Sequence, residues 1–73
     1  MDRNSLESEL RLQDFRVLES RSLLNKQRSL IAELEEIGRD TRAAKEVLSK
    51  LLDLHRLREA NLDRTRTELE RLE

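Results

Sequence analysis

The stretch Glu36-Ile37-Gly38-Arg39-Asp40-Thr41-Arg42 decides the fold, because it contains the one glycine of the chain and separates two long segments that have no helix breaker. Glycine is common just past the end of a helix, since it adopts a positive φ without a steric penalty. We therefore predict a tight turn over residues 38–40. It joins helix 1, about residues 5–37, to helix 2, about residues 41–72.

Both predicted helices have capping residues at their amino ends. Asn4 or Ser5 can accept a hydrogen bond from an amide of the first turn of helix 1. Glu7 stands three residues after Asn4, which gives a capping-box-like arrangement. Asp40 is the expected cap of helix 2, with Thr41 as the alternative.

The amino-acid composition also favours a helical protein. Of the 73 residues, 42 % are charged and 1 % are aromatic, and the chain has no Pro and no Cys. Leu, Glu, Arg and Ala are strong helix formers, and such a composition with helical periodicity is typical of coiled coils. One small all-α domain is therefore expected.

Several functional classes are disfavoured by the same composition. The net charge of −1 argues against nucleic acid as the main ligand. The absence of Cys excludes disulfides and thiolate metal sites. No apolar run reaches the roughly 20 residues of a membrane span, and the amino terminus does not resemble a signal peptide. We expect a cytoplasmic protein that binds no cofactor, metal or membrane.

Heptad spacing is the strongest evidence for the hairpin. On each predicted helix one row of residues advances in alternating steps of three and four, as in a coiled coil. We call each row the seam. In helix 1 the seam is Leu6, Leu10, Gln13, Val17, Ser20, Leu24, Gln27, Ile31 and Leu34, and in helix 2 it is Ala44, Leu48, Leu51, His55, Arg58, Leu62, Thr65, Leu69 and Leu72.

A turn at Gly38 makes the two helices antiparallel, so that their seams face each other. A turn centred there predicts facing residues whose numbers sum to 78–79, such as Leu24 with His55 and Ser20 with Arg58. The same alignment predicts surface charge pairs that favour this orientation more than they stabilise it. They are Arg11 with Glu68, Arg16 with Asp63, Arg21 with Glu59, Lys26 with Asp53, and Glu36 with Arg42.

A second set of apolar residues lies outside the seams. A single hairpin leaves these side chains in water, and a chain this short rarely builds a sufficient core alone. The simplest remedy is a two-fold symmetric dimer in which two hairpins form a four-helix bundle. The predicted dimer interface is Phe15, Leu23, Leu30, Ile37, Val47 and Leu54, with Leu12 and Leu18 extending the patch on helix 1.

His55 is the only histidine, and it stands in the helix 2 seam. Residues 55–58 loosely resemble the His-x-Leu-Arg pattern of the phospho-accepting helix of dimeric histidine kinases. Arg56 departs from the acidic residue usual after that histidine, and the later Pro is absent. The favoured interpretation is a partly buried histidine that fixes register, as polar seam residues do. No Glu stands three residues before it, as a di-metal bundle would require.

The remaining polar motifs are typical of a solvated surface and not of a catalytic or ligand-binding site. Basic residues on helix 1 spiral around it with acidic residues interleaved, which favours a solvated, salt-bridged surface over a nucleic-acid site. No phosphate-binding Gly-rich loop and no Ser-His-Asp or Cys-His set can be assembled, so catalysis is not expected. The basic residues concerned are Arg11, Arg16, Arg21, Lys26 and Arg28.

Residues 38–48 resemble the turn region of small uncharacterised helical proteins of alphaproteobacteria. Those proteins tend to read Gly-His-Asp-Thr at the turn, then a helix with Ala and paired aliphatic residues, and later a Leu-His and an Asp-Arg element. Here Leu57-Arg58 and Asp63-Arg64 occupy the later places, so Arg58 stands where the family has His. The resemblance spans roughly residues 23–69 and implies a bacterial cytosolic origin without implying an activity.

The sequence therefore predicts a non-enzymatic interaction or scaffolding module that acts as a homodimer or with another helical protein. Two alternatives stay open, a nucleic-acid-associated regulator that uses surface arginines and a phosphotransfer bundle that uses His55. The pattern is also compatible with a fragment of a longer coiled coil. A domain-swapped form, in which residues 38–40 straighten into a continuous helix, is compatible as well.

Overall fold

The computed structural model describes residues 2–72, which form two antiparallel α-helices. Helix α1 spans Arg3–Glu36 and helix α2 spans Arg42–Leu72. They pack along their whole length into a rod whose Cα atoms extend 54 × 14 × 13 Å. The predicted all-α helical hairpin is confirmed.

The amino-terminal cap differs from the prediction. Asp2 has an extended backbone, and its carboxylate accepts a hydrogen bond of 2.7 Å from the Ser5 amide. The predicted caps, Asn4 and Ser5, are instead inside the first turn. An aspartate at this position supplies an acceptor and a negative charge to the positive end of the helix dipole, and the hydrogen bonds from Ser5 lower the pKa of Asp2.

Helix α1 ends in a Schellman motif built around Gly38. This glycine has φ +73°, a left-handed conformation. The Arg39 amide donates to the Leu34 carbonyl at 2.8 Å, and the Gly38 amide donates to the Glu35 carbonyl at 3.1 Å. These are the two bonds that define the motif, and they satisfy carbonyls that the end of the helix leaves open.

Both predicted caps contribute to the start of α2. The Thr41 carbonyl accepts the first helical hydrogen bond, from the Lys45 amide at 2.9 Å. The Asp40 carboxylate accepts from the Arg42 amide at 3.0 Å and from the Arg42 guanidinium at 2.8 Å. The connection therefore occupies residues 37–41, one residue longer at each end than predicted.

The two seams lie at the interface between the helices. Every seam residue of α1 is buried or half-buried, and so is every seam residue of α2 except Leu72, which is exposed at the open end. The buried members are Leu6, Val17, Ser20, Leu24, Ile31, Leu62 and Thr65.

The register differs from the prediction by about one helical turn. His55 hydrogen-bonds with Ser20, one turn along from the predicted Leu24, and Arg58 reaches the carbonyl of Arg16, one turn along from the predicted Ser20. The numbers of these two polar contacts sum to 75 and 74 instead of the predicted 78–79. Each seam contains pairs of residues that stand three apart. In this register the first residue of such a pair on one helix faces the second residue of such a pair on the other helix. It also leaves Leu72 beyond Leu6, which explains its exposure.

The predicted charge pairs were wrong for the same reason. Among residues 2–72 the ion pairs across the hairpin join Arg58 to Glu19, Arg66 to Asp14 and Lys45 to Glu35. None of the five pairs expected from the sequence is among them, because the helices are aligned differently and long side chains choose partners over more than a turn. Arg42 pairs with Asp40 within the connection, not with Glu36.

Gly38→Ala should destabilise the hairpin by about 1 kcal/mol, because a Cβ makes the left-handed conformation unfavourable. Nothing lies within 4 Å of the position that this Cβ would occupy, so steric contact adds no further cost. Gly38→Asn should cost less, since Asn tolerates this conformation. Urea unfolding followed by helicity measures both; equal losses for Ala and Asn would contradict the conformational explanation.

Asp40→Ala should lower the melting temperature near neutral pH and lose its effect in acid. The hydrogen bonds from Arg42 lower the pKa of Asp40 below its ordinary 3.8. A depressed pKa contributes stability that is present above 3.8 and is lost as the pH falls through the folded-state pKa. The difference in melting temperature between wild type and variant should therefore shrink as the pH falls below 3.8; a constant difference would contradict this linkage.

Candidate functional site

A polar layer crosses the hairpin interface at Ser20 and His55. Ser20 is fully buried, and its hydroxyl oxygen lies 2.6 Å from Nδ1 of His55 and 3.1 Å from the Val17 carbonyl. The other ring nitrogen, Nε2, lies 3.5 Å from a Glu59 carboxylate oxygen one turn later. Only 12 % of the His55 side chain is exposed. The three side chains form the most enclosed polar cluster of the interface.

The Ser20 hydroxyl joins the two helices through His55. Its single proton can be donated to the Val17 carbonyl at 3.1 Å or to Nδ1 of His55 at 2.6 Å. If Nε2 of His55 carries the ring proton toward Glu59, Nδ1 is the acceptor of the Ser20 hydroxyl; if Nδ1 carries it, the Ser20 oxygen is the acceptor. In either tautomer one hydrogen bond joins the two side chains.

A serine, a histidine and a carboxylate are together the components of a hydrolase triad, which the sequence did not lead us to expect. The geometry suits the pairing of two helices instead. A nucleophile must be reachable by substrate, whereas Ser20 is fully buried between the helices. The incorrect register had placed Leu24 against His55, which is why the cluster was missed.

The same geometry gives no support to phosphotransfer through His55. Nδ1 faces the Ser20 hydroxyl, and Nε2 faces the Glu59 carboxylate. An incoming phosphoryl group would meet that negative charge at the more open nitrogen.

Two further polar seam residues tie the helices together. Arg58 donates from Nη1 to the Arg16 carbonyl at 2.8 Å and to Glu19 at 3.1 Å, and only 20 % of its side chain is exposed. Gln27 donates to the Ala44 carbonyl at 2.9 Å, which fastens α1 to the first turn of α2. The bonds to the Arg16 and Ala44 carbonyls join a side chain of one helix to the backbone of the other, so they depend on the axial register.

One flank of the hairpin is charged and paired. Asp14 contacts Arg66 at 3.3 Å and Glu35 contacts Lys45 at 4.0 Å across the two helices. Each of these residues directly follows a seam residue. An open cleft of about 480 Å³ lies on this flank, and acids and arginines of both helices line it. Three acids and two arginines line it, so the charges are mixed and neither sign of ligand charge is strongly favoured.

The opposite flank is apolar. Leu23 directly precedes the seam residue Leu24, and Leu54 directly precedes His55. On the charged flank the residues of both helices come directly after a seam residue in the sequence. The residues that come directly before a seam residue, such as Leu23 and Leu54, therefore lie on the opposite side of the hairpin. We call this surface the apolar flank. Its members are Leu23, Leu30, Ile37, Val47 and Leu54, all exposed and all in the half of the hairpin near the turn.

Phe15, which the sequence placed in the dimer interface with these residues, lies elsewhere. It is 62 % exposed and is turned by about 60–80° around α1 from Leu23 and Leu30, given about 100° per residue. Leu18 is turned further and lines the cleft of the charged flank. Phe15 therefore borders the apolar flank without belonging to it.

The described residues offer neither a membrane span nor a metal cluster. Neither helix contains a segment sufficiently long and apolar to cross a membrane. Residues 2–72 contain no group of three or more His, Asp or Glu side chains placed to hold a metal ion.

Comparisons of the chain with protein-family models, curated proteins and solved structures find no match. The resemblance to alphaproteobacterial helical proteins therefore stays a prediction.

Ser20→Ala should destabilise the hairpin by about 1–3 kcal/mol, because it leaves Nδ1 of His55 without its hydrogen-bond partner at the helix interface. Replacing both partners, as in Ser20→Ala with His55→Leu, should cost less than the sum of the single changes, since no polar group is then left unsatisfied. Urea unfolding of the two single variants and the double variant completes the cycle. Additive losses would show that the two side chains do not interact.

Proposed function

We propose that this chain is a non-enzymatic interaction module that acts as a homodimer of helical hairpins. The apolar flank carries the proposal. Five large aliphatic side chains stand exposed on one face of the hairpin, whereas the opposite face is charged and internally paired. A contiguous apolar surface of this kind marks an interaction site.

The free energy of apolar burial favours dimerisation over leaving the apolar flank in water. Burying a large aliphatic side chain gains about 1.5–3 kcal/mol, and a two-helix chain of this length has few other sources of stability. Among residues 2–72, five apolar side chains are buried between the helices, namely Leu6, Val17, Leu24, Ile31 and Leu62, and further seam leucines are half-buried. Covering the apolar flank would add five large aliphatic side chains to this small core.

A scaffolding role follows from what the dimer would leave outside. The charged flank and the outer faces of both helices stay in contact with solvent, and dimerisation presents them twice. Another helical protein is the kind of partner such surfaces suit. The sequence resemblance adds a bacterial cytosolic setting to the proposal.

Leu30→Glu should convert the dimer into a monomer, because it places a charge at the centre of the apolar flank, where burial without a partner is costly. Leu18→Glu is the matched control, since Leu18 is also an exposed leucine of α1 but lies toward the charged flank. Light scattering over micromolar concentrations gives the mass, with helicity recorded on the same samples.

The expected result is twice the chain mass for wild type and Leu18→Glu, and a lower mass for Leu30→Glu. A wild-type monomer that keeps its helicity would overturn the proposal of a homodimer. A wild-type monomer with little helix would overturn it as well, and would direct the search to a different protein that covers the apolar flank.

A further inference from the structure

The apolar flank belongs to a second heptad seam on each helix. On α1 the residues advance in alternating steps of three and four, and on α2 in steps of four and three. The rows are Leu23, Lys26, Leu30, Glu33 and Ile37 on α1, and Ala43, Val47, Lys50, Leu54 and Leu57 on α2. A helix with two seams packs against two neighbours. The first neighbour is the other helix of the hairpin, and the second has to come from outside it.

From this second seam we infer that two copies pair antiparallel through their turn halves only, with their open ends pointing away from each other. The inference rests on the proposed homodimer and specifies its geometry. The two-fold axis would cross α1 between Lys26 and Leu30, and α2 between Val47 and Lys50. Each helix then packs against its own copy, and Ile37 of one protomer reaches Leu23 of its partner.

The charges of the second seam favour this alignment. Lys26, Glu33 and Lys50 are exposed and form no ion pair with another described residue. The antiparallel alignment brings Lys26 of each protomer within one turn of Glu33 of its partner, which gives two attractive contacts. It costs one approach of the two copies of Lys50 and leaves the two copies of Lys26 about one turn apart.

A parallel, turn-to-turn bundle would use the same apolar side chains with worse electrostatics. In the observed register Lys26 lies at the level of Lys50, so a parallel partner would set two Lys26–Lys50 pairs side by side. The same rows continue toward the open ends with Glu19, Arg16, Leu12 and Glu9 on α1, and with Asn61, Arg64 and Glu68 on α2. A full-length parallel bundle would bury four glutamates in one layer, and buried charges of one sign are costly.

The area is sufficient for a specific but modest interface. The overlap would extend about 28 Å along the helices and about 20 Å across two helix diameters. This removes on the order of 1,100 Å² from the two protomers together, just above the roughly 1,000 Å² that marks a biological interface. The concentration dependence of the mass should therefore be visible in the micromolar range.

Distances between spin labels separate the two alignments. The chain has no Cys, so Ser29→Cys and Ser8→Cys each give one label per protomer on an exposed position of α1. Ser29 lies close to the proposed axis, and its two labels should be about 20–30 Å apart in either alignment, given helix diameters of about 10 Å. The two Ser8 labels should be on the order of 60 Å apart in the antiparallel dimer and about 20–30 Å apart in the parallel one, at about 1.5 Å per residue.

A short Ser29 distance with a long Ser8 distance supports the inference. Short distances at both positions would overturn it and leave the homodimer intact. No dipolar coupling at either position, together with a monomeric mass, would overturn the homodimer itself.

Charge reversal gives an independent readout of the same geometry. Lys26→Glu should weaken an antiparallel dimer by placing two glutamates near Glu33 of the partner, and Glu33→Lys in the same chain should restore the dissociation constant. In a parallel dimer Lys26→Glu would instead strengthen association by removing repulsion from Lys50. Sedimentation equilibrium of the three proteins measures the direction of the change.

Discussion

The hydrogen bond between His55 and the buried hydroxyl of Ser20 determines how the two helices are aligned along their axes. Apolar seams alone leave this alignment weakly specified, because leucines face leucines after a slide of one turn as well. A slide of one turn would separate this pair, which lies 2.6 Å apart, and leaving the imidazole nitrogen without a partner at the interface costs about 1–3 kcal/mol. The Arg58 and Gln27 bonds to the backbone act in the same direction on either side of this layer.

The heptad phase of the seams defines the two flanks. On one flank, residues that follow the seams pair as Asp14–Arg66 and Glu35–Lys45. On the other flank Leu30 lies near the level of Val47 and Leu23 near the level of Leu54, and all four side chains are exposed. The charged groups of the first flank therefore find partners within the hairpin, whereas the apolar groups of the second do not. The asymmetry between the flanks is a consequence of which residues stand beside the seams in the sequence.

Much of this architecture could be predicted from the residues alone. Gly38 located the turn because only glycine adopts a left-handed conformation without cost, and the alternating three- and four-residue steps located the seams. The register could not be predicted, since a heptad pattern matches itself after a small slide and the turn geometry was unknown to within a few residues. The correct choice depended on Ser20 and His55 forming one layer, and a polar pair is recognised only when its distance is known. The charge pairs failed with the register, and Asp2 was missed because Asn4 and Ser5 offered equally good caps nearby.

Folding and association are coupled if the apolar flank is covered by a second copy. Five exposed aliphatic side chains are then part of the native core, and the isolated hairpin lacks the burial that they contribute. A ligand that binds only the folded state stabilises it by mass action, and here the ligand is the chain itself. The stability of the hairpin should therefore rise with protein concentration. Substitutions in the polar layer and in the apolar flank should also affect both helicity and mass, because the first sets the register that the second requires.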